Sequence, residues 1–232
     1  MATIGRDMPT KKKCIALVSG GIDSPVAVAR MLNENWEIQC VHYSQAEITG
    51  DGPEEKAIAS LNHFLSMDGR LGDIARKNLA RELIVVPVTE QLAKFTEKWA
   101  HTEYFIHMKR LFHKLGEVIG KECGATHILT GENLGQVSSQ TLGNLGAIEM
   151  MCELNTLRPL LAFDKRHIID MARELGTYEL SLAAEVCDAL GPNKPTTVAN
   201  QEWLELSEKR AGGLDNLVEE SLNKRYTMKL FA

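Results

Sequence analysis

No two cysteines of the chain stand in a CxxC spacing, and the five present, at 14, 40, 123, 152 and 187, are odd in number. Neither a disulfide framework nor a zinc site is indicated. No apolar stretch approaches the roughly 20 residues that a membrane helix needs. The charged N-terminus MATIGRDMPTKKK is not followed by the apolar segment and small-residue cleavage site of a signal peptide. The expectation is a cytoplasmic protein without a membrane partner. A basic surplus is also missing, since 26 Lys and Arg face 31 Asp and Glu for a formal charge of −5. That argues against a large electrostatic footprint for nucleic acid, so an RNA substrate would need a local basic patch or a separate RNA-binding protein. Repeats and low-complexity tracts are absent as well.

What remains is an ordinary globular balance, with 44% hydrophobic and 25% charged residues in a chain of 232. Short β-rich runs alternate with longer helical ones. KCIALVS, WEIQCVHYS, ELIVVPV, THILTG and NTLRPLL read as five strands. SPVAVARMLNE reads as a helix, as do Glu54 to Arg81 with a break near Asp68-Gly69, and Thr89 to Glu122 ending at Cys123-Gly124. DKRHIIDMARELG reads as an amphipathic helix capped by Asp164 and stopped at Gly176. Strands separated by helix-length segments imply βαβ units in an open, doubly wound α/β parallel sheet of about five strands. The expected division is a tail at 1–11, one domain over 12–200, and a helical C-terminal extension at 201–232 split at Gly212-Gly213.

In such a sheet ligands sit beyond the carboxyl ends of the strands, which puts SGGIDS, residues 19 to 24, at the leading position. Gly20 and Gly21 permit backbone angles closed to other residues and leave room for a ligand on the main chain. Ser24 is expected to cap the next helix, with Pro25 in its first turn. Free amides there, with the helix dipole, favour an anion such as phosphate. Asp23 would be repelled by bare phosphate and suits orientation of the loop or a magnesium ion. Two glycines alone would fit an ordinary tight turn equally well.

The whole string is more specific. SGGxDS after a first strand resembles the signature of the PP-loop ATP pyrophosphatases, which cleave ATP between its α and β phosphates. TGENLGQVSSQTLGNL, from Thr130 to Leu145, narrows this: it resembles ThiI-type tRNA sulfurtransferases, which install 4-thiouridine in tRNA and in some organisms support thiamine biosynthesis. LRPLLAFDKRHIIDMARELGT and EVCDALGPNKPTT continue the resemblance over roughly residues 12 to 200, more weakly between 44 and 100. It implies ATP with Mg2+ as cofactors and a nucleotide site made of Ser19, Gly20, Gly21, Ile22, Asp23, Ser24, Thr130, Gly131, Glu132, Gln136 and Gln140. Lys109, Arg110, Lys114, Arg158 and Lys165 are candidates for phosphate or RNA contact, although surface charges or salt bridges would account for them equally well. His101, His107 and His113, six residues apart, do not share one helix face and are not expected to bind metal.

The resemblance also assigns Cys187 a part in sulfur transfer, whereas Cys14, Cys40 and Cys152 read as core residues. It implies a reaction in two steps: a uridine carbonyl of tRNA is adenylated with release of pyrophosphate, then sulfur displaces AMP. The sulfur would come as a persulfide from a donor such as a cysteine desulfurase, or as free sulfide. Family members commonly carry an N-terminal THUMP region, and some a C-terminal rhodanese domain; this chain is expected to lack both. Two rival readings stay open, an adenylating enzyme acting on a small molecule or sulfur-carrier protein, and a non-catalytic ATP- or AMP-binding subunit.

Overall fold

Alternating residues of the first strand decide the architecture. In β1 (Lys13–Leu17), Cys14 and Ala16 enter one buried cluster and Ile15 enters another, so both faces of the strand are covered. The computed structural model describes residues 12–134, 140–182 and 190–231. After β1 come α1 (Asp23–Asn33), β2 (Glu37–Ser44), α2 (Ala46–Thr49), α3 (Gly52–Ser66), α4 (Gly69–Asn78) and β3 (Leu79–Pro87). Then follow α5 (Thr89–Ala93), α6 (Tyr104–Glu122), β4 (His127–Leu129), α7 (Leu142–Glu149), β5 (Asn155–Leu157) and α8 (Lys165–Glu174). The chain closes with α9 (Gln201–Arg210), α10 (Leu214–Leu222) and β6 (Tyr226–Lys229).

The sheet order is β5-β4-β1-β2-β3-β6. The first five strands are parallel and β6 pairs antiparallel with β3, Val85 opposite Tyr226. On one face α1, α3, α4 and α8 bury Val26, Leu61, Ala75 and Ile168 against Cys14 and Cys40. On the other, α6 and α10 bury Leu111, Leu115 and Leu217 against Ile15 and Val41. Complete burial of one such leucine contributes about 1.5–3 kcal/mol, so these two layers carry the fold.

Local punctuation behaves as the sequence indicates. Asp164 accepts the Arg166 amide at 2.8 Å and caps α8. Gly124, Gly176, Gly212 and Gly213 all have positive φ at helix ends. Three expectations are corrected. The sheet has a sixth strand, because the C-terminal extension does not end as a helix. The run from Thr89 to Glu122 is not one helix: short 3-10 turns at 94–96 and 101–103 bend it so that Phe95 and Ala100 are both fully buried. Finally, β5 stops at Leu157, and the rest of NTLRPLL folds into a loop tied to the chain after β4.

Candidate active site

From β1 the chain proceeds outward to β2 and β3, then returns to lay β4 on β1's other side. Where the order reverses, beyond the carboxyl ends of β1 and β4, an open parallel sheet has its ligand crevice. SGGIDS forms one wall. Ser24 does not cap α1, which starts one residue earlier. Its Oγ instead accepts the Ser19 amide at 2.9 Å and donates to the Ser19 carbonyl at 3.2 Å, while Ser19 Oγ accepts the Gly21 amide at 3.2 Å. The two hydroxyls thus clasp the loop into a closed turn. A Cβ on Gly20 would stand 2.8 Å from the Pro53 carbonyl oxygen, so only glycine lets the loop lie against α3. The amides of Gly20 and Ile22 have no hydrogen-bond partner among the described residues. Unused donors in a turn at a helix start fit an anionic group.

The opposite wall follows β4. A Cβ on Gly131 would come within 2.9 Å of Asp23 C and Ser24 N, so this backbone lies flush against the first turn of α1. Asn133 Nδ2 donates to the carbonyls of Leu160 and Phe163 and fastens the β4 loop to the β5 loop. Between them sits Glu132, only 7% exposed. Its Oε1 receives Lys109 Nζ at 2.7 Å; its Oε2 receives Arg158 Nε at 2.8 Å and Thr130 Oγ1 at 3.2 Å. Burial opposes the charge on Glu132, but Lys109, His113 and Arg158 outweigh it and hold the carboxyl down to about 2. Arg158 Nη1 also reaches Glu149 Oε2 at 2.7 Å. Burial pushes His113 below its ordinary value, against a pull upward from Glu132, so the imidazole is neutral at pH 7.

At the mouth of the crevice Lys165 Nζ lies 2.6 Å from Asp23 Oδ1. Both side chains are partly exposed, so an incoming ligand can separate them at small cost. Lys114 pairs with Glu117 at 3.1 Å, one helical turn along α6 from Lys109 and Arg110. Gln140 Oε1 is buried without a partner among the described residues.

Arg110 is a correction. Expected among the phosphate or RNA contacts, it is fully buried and points away from the crevice into the helical layer. There it meets Glu208 on α9, with Nε at 2.5 Å from Oε1 and Nη2 at 2.9 Å from Oε2. A group so enclosed cannot touch a nucleic-acid backbone.

Gln136 and Cys187 lie outside the described residues. Burial raises the thiols of Cys14 and Cys152 to about 12 and that of Cys40 further still, so these three stay protonated at neutral pH and are poor nucleophiles. Two side chains near the loop escaped the sequence reading. Lys56 on α3 is buried with its Cδ 3.2 Å from the place a Gly20 Cβ would take, and nothing in its neighbourhood in the chain signals that approach. His42 stands near the carboxyl end of β2 with Nδ1 2.9 Å from the Val18 carbonyl; its place near a strand end was the available hint.

A profile of the family described as thiamine biosynthesis protein (ThiI) matches residues 9–211. A "probable tRNA sulfurtransferase" of Acetivibrio thermocellus is 32% identical over 225 residues, spanning 96% of this chain and 54% of its own length. One from Caldanaerobacter subterraneus is 36% identical over 208 residues, 88% of this chain and 52% of its own. The chain therefore spans about half the length of the curated relatives it matches. Among solved structures, a 4-thiouridine synthetase in complex with RNA and bound ATP superposes with a TM-score of 0.84 at 32% identity, over 94% of this chain and 55% of that one. An NMN synthetase from Francisella tularensis, at 11% identity and a TM-score of 0.53 over 93% of this chain and 85% of its own, shares the fold alone.

Proposed function

Because the chain belongs to the ThiI family, whose profile covers most of its length, we propose that it carries the ATP-dependent half of a tRNA sulfurtransferase reaction. The observation that carries this reading is the crevice itself: a clasped loop with unused amides faces a second wall that bears lysine and arginine. ATP would lie with its triphosphate along Ser19–Ser24. Lys165 would leave Asp23 for a phosphate oxygen, and Lys109 and Arg158 would add charge from the β4 side. Released from Lys165, Asp23 is the carboxylate able to hold a magnesium ion, which would offset the charge of the triphosphate. Gln140, whose buried Oε1 has no partner among the described residues, is a candidate to accept from the amino group of adenine or a hydroxyl of ribose.

The chemistry then follows from charge placement. The O4 of a uridine attacks the α-phosphorus, the bond to the β-phosphate breaks, and pyrophosphate leaves. Attached AMP turns a poor leaving oxygen into a good one. A hydrosulfide or persulfide sulfur attacks C4, and AMP departs with the former carbonyl oxygen. If the sulfur arrives as a persulfide, its S–S bond must be cleaved by a second thiol, the role open to Cys187. With a formal charge of −5 and Arg110 buried, RNA docking would depend on residues other than a broad basic face.

Pyrophosphate release from ATP, measured with bulk tRNA, with small-molecule acceptors and without any acceptor, tests the reading. Stimulation by tRNA that disappears in Asp23→Ala supports it. Stimulation by a small carbonyl compound alone would transfer the adenylation to another acceptor, and ATP binding without turnover would leave a nucleotide-binding subunit.

A further inference from the structure

Lys109 and Arg158, both half-buried, differ from the fully buried Arg110 in what their donors have left to do. Arg110 spends Nε and Nη2 on Glu208, and its Nη1 on the Ala147 carbonyl at 2.7 Å and Gln201 Oε1 at 3.2 Å. That guanidinium is closed to any further partner except through one N–H. Lys109 gives one of its three ammonium donors to Glu132 and makes no second side-chain bond among the described residues. Arg158 gives Nε to Glu132 and Nη1 to Glu149, while Nη2 is buried with no partner among the described residues. Both cations of the crevice therefore keep donors in reserve, and both are oriented by the same carboxylate.

We propose that Glu132 is a positioning residue rather than a nucleotide ligand: it holds Lys109 Nζ and the Arg158 guanidinium in place so that their remaining donors meet the phosphates of ATP. This rests on the nucleotide reading of the crevice given above. Both oxygens of Glu132 are already engaged, Oε1 by Lys109 and Oε2 by Arg158 and Thr130, so three of the roughly four acceptor positions of the carboxylate are spent. It is also the wrong charge to approach a triphosphate. Its placement is right for the indirect role: it follows Gly131, whose backbone touches Asp23 and Ser24 of the phosphate loop. Without Glu132, Lys109 would carry its charge at 15% exposure without that counterion, and an unpaired, partly desolvated charge is costly. A lysine side chain left loose also has about 2 kcal/mol of rotamer freedom to surrender on binding. Glu132 removes both costs before ATP arrives.

A double-mutant cycle on ATP affinity separates this from a merely structural salt bridge. Wild type, Glu132→Gln, Lys109→Gln and the double variant are titrated with ATP by calorimetry, and Glu208→Gln serves as the control for a buried glutamate outside the crevice. Glu132→Gln is expected to weaken ATP binding about tenfold or more, the effect of losing a charge-assisted contact. The double variant is expected to lose clearly less affinity than the two single losses combined, because Glu132 acts in part through that lysine, and the loss beyond Lys109→Gln is the share carried by Arg158. Glu208→Gln should lower the melting temperature and leave the ATP affinity of the folded protein unchanged. If Glu132→Gln folds poorly, Glu132→Asp keeps the charge, shortens the reach by one methylene and should weaken ATP with a smaller loss of stability. The proposal is overturned if Glu132→Gln, or its aspartate substitute, melts lower yet binds ATP like wild type, or if the effects of Glu132→Gln and Lys109→Gln simply add. Wild type that binds no ATP would instead remove the nucleotide reading and this proposal with it, a result distinct from either.

Discussion

Lys109 and Arg110 are neighbours in α6, yet one faces a crevice and the other a core. Each meets a buried glutamate, Glu132 at 2.7 Å and Glu208 at 2.5 Å. The Glu208 cluster joins α6 to α9, takes in His107 stacked on Phe95 at 4.5 Å, and occupies four of the five N–H donors of Arg110. The Glu132 cluster stands at the carboxyl rim of the sheet and leaves donors over. The two ion pairs thus differ in what they leave over: the Arg110 guanidinium is nearly spent in fastening elements together, whereas the Lys109 ammonium keeps donors for the proposed ligand.

The largest effect expected from breaking this contrast comes from Arg110→Leu. It leaves Glu208 buried opposite an apolar side chain and should cost about 3–5 kcal/mol of unfolding free energy. Chemical denaturation would measure the loss, and ATP affinity of the folded fraction should not move. Acid sharpens the comparison next. A carboxyl held below its unfolded value binds its proton more weakly in the folded state, so its contribution is present above the unfolded value near 4.5 and is lost as pH falls toward about 2. Glu132→Gln should therefore flatten the decline of stability between those pH values by about 3 kcal/mol, read from denaturant melts at pH 6 and pH 2.5. Glu208 is also held low, by His107 and Arg110 against the opposing effect of burial, so it declines in the same direction.

Smaller again is Gly131→Ala. Its methyl would press on Asp23 and Ser24, and a cost of about 1–3 kcal/mol with weaker ATP binding is expected from the displaced loop. Last comes Lys165→Gln, which breaks an ion pair whose lysine is 43% exposed. It should change the unfolding free energy by less than about 1 kcal/mol while ATP affinity falls. That is the reverse of the Arg110→Leu signature, and a Lys165→Gln variant with unchanged ATP affinity would erase the distinction.

Features written in local chemistry were legible before the fold was known. SGGIDS, the cap at Asp164 and the glycines at 124, 176, 212 and 213 depend on their immediate neighbours. Residues whose meaning comes from distant partners were not. Arg110 and Lys109 look alike in the sequence, and Glu208 lies 98 positions away from the arginine it neutralises. β6 hid for a different reason: Tyr226 and Met228 alternate with Thr227 and Lys229, but four exposed residues are too short a run to stand out as a strand. Ser24 was placed at the correct turn with the wrong task, since its hydroxyl closes the loop instead of capping the helix. The alternation of strands and helices was enough for the doubly wound sheet, because each element buries its own apolar face.

The adjacency of Lys109 and Arg110 makes α6 phase-locked. Consecutive positions on a helix differ by about 100° in direction. Inserting a single residue between Tyr104 and Lys109 would turn the lysine toward the α9 carboxylate, and deleting one would turn the arginine toward the rim. A substitution along that first turn and a half of α6 disturbs the contacts of one side chain, but a change in its length cannot be absorbed there without scrambling two clusters at once.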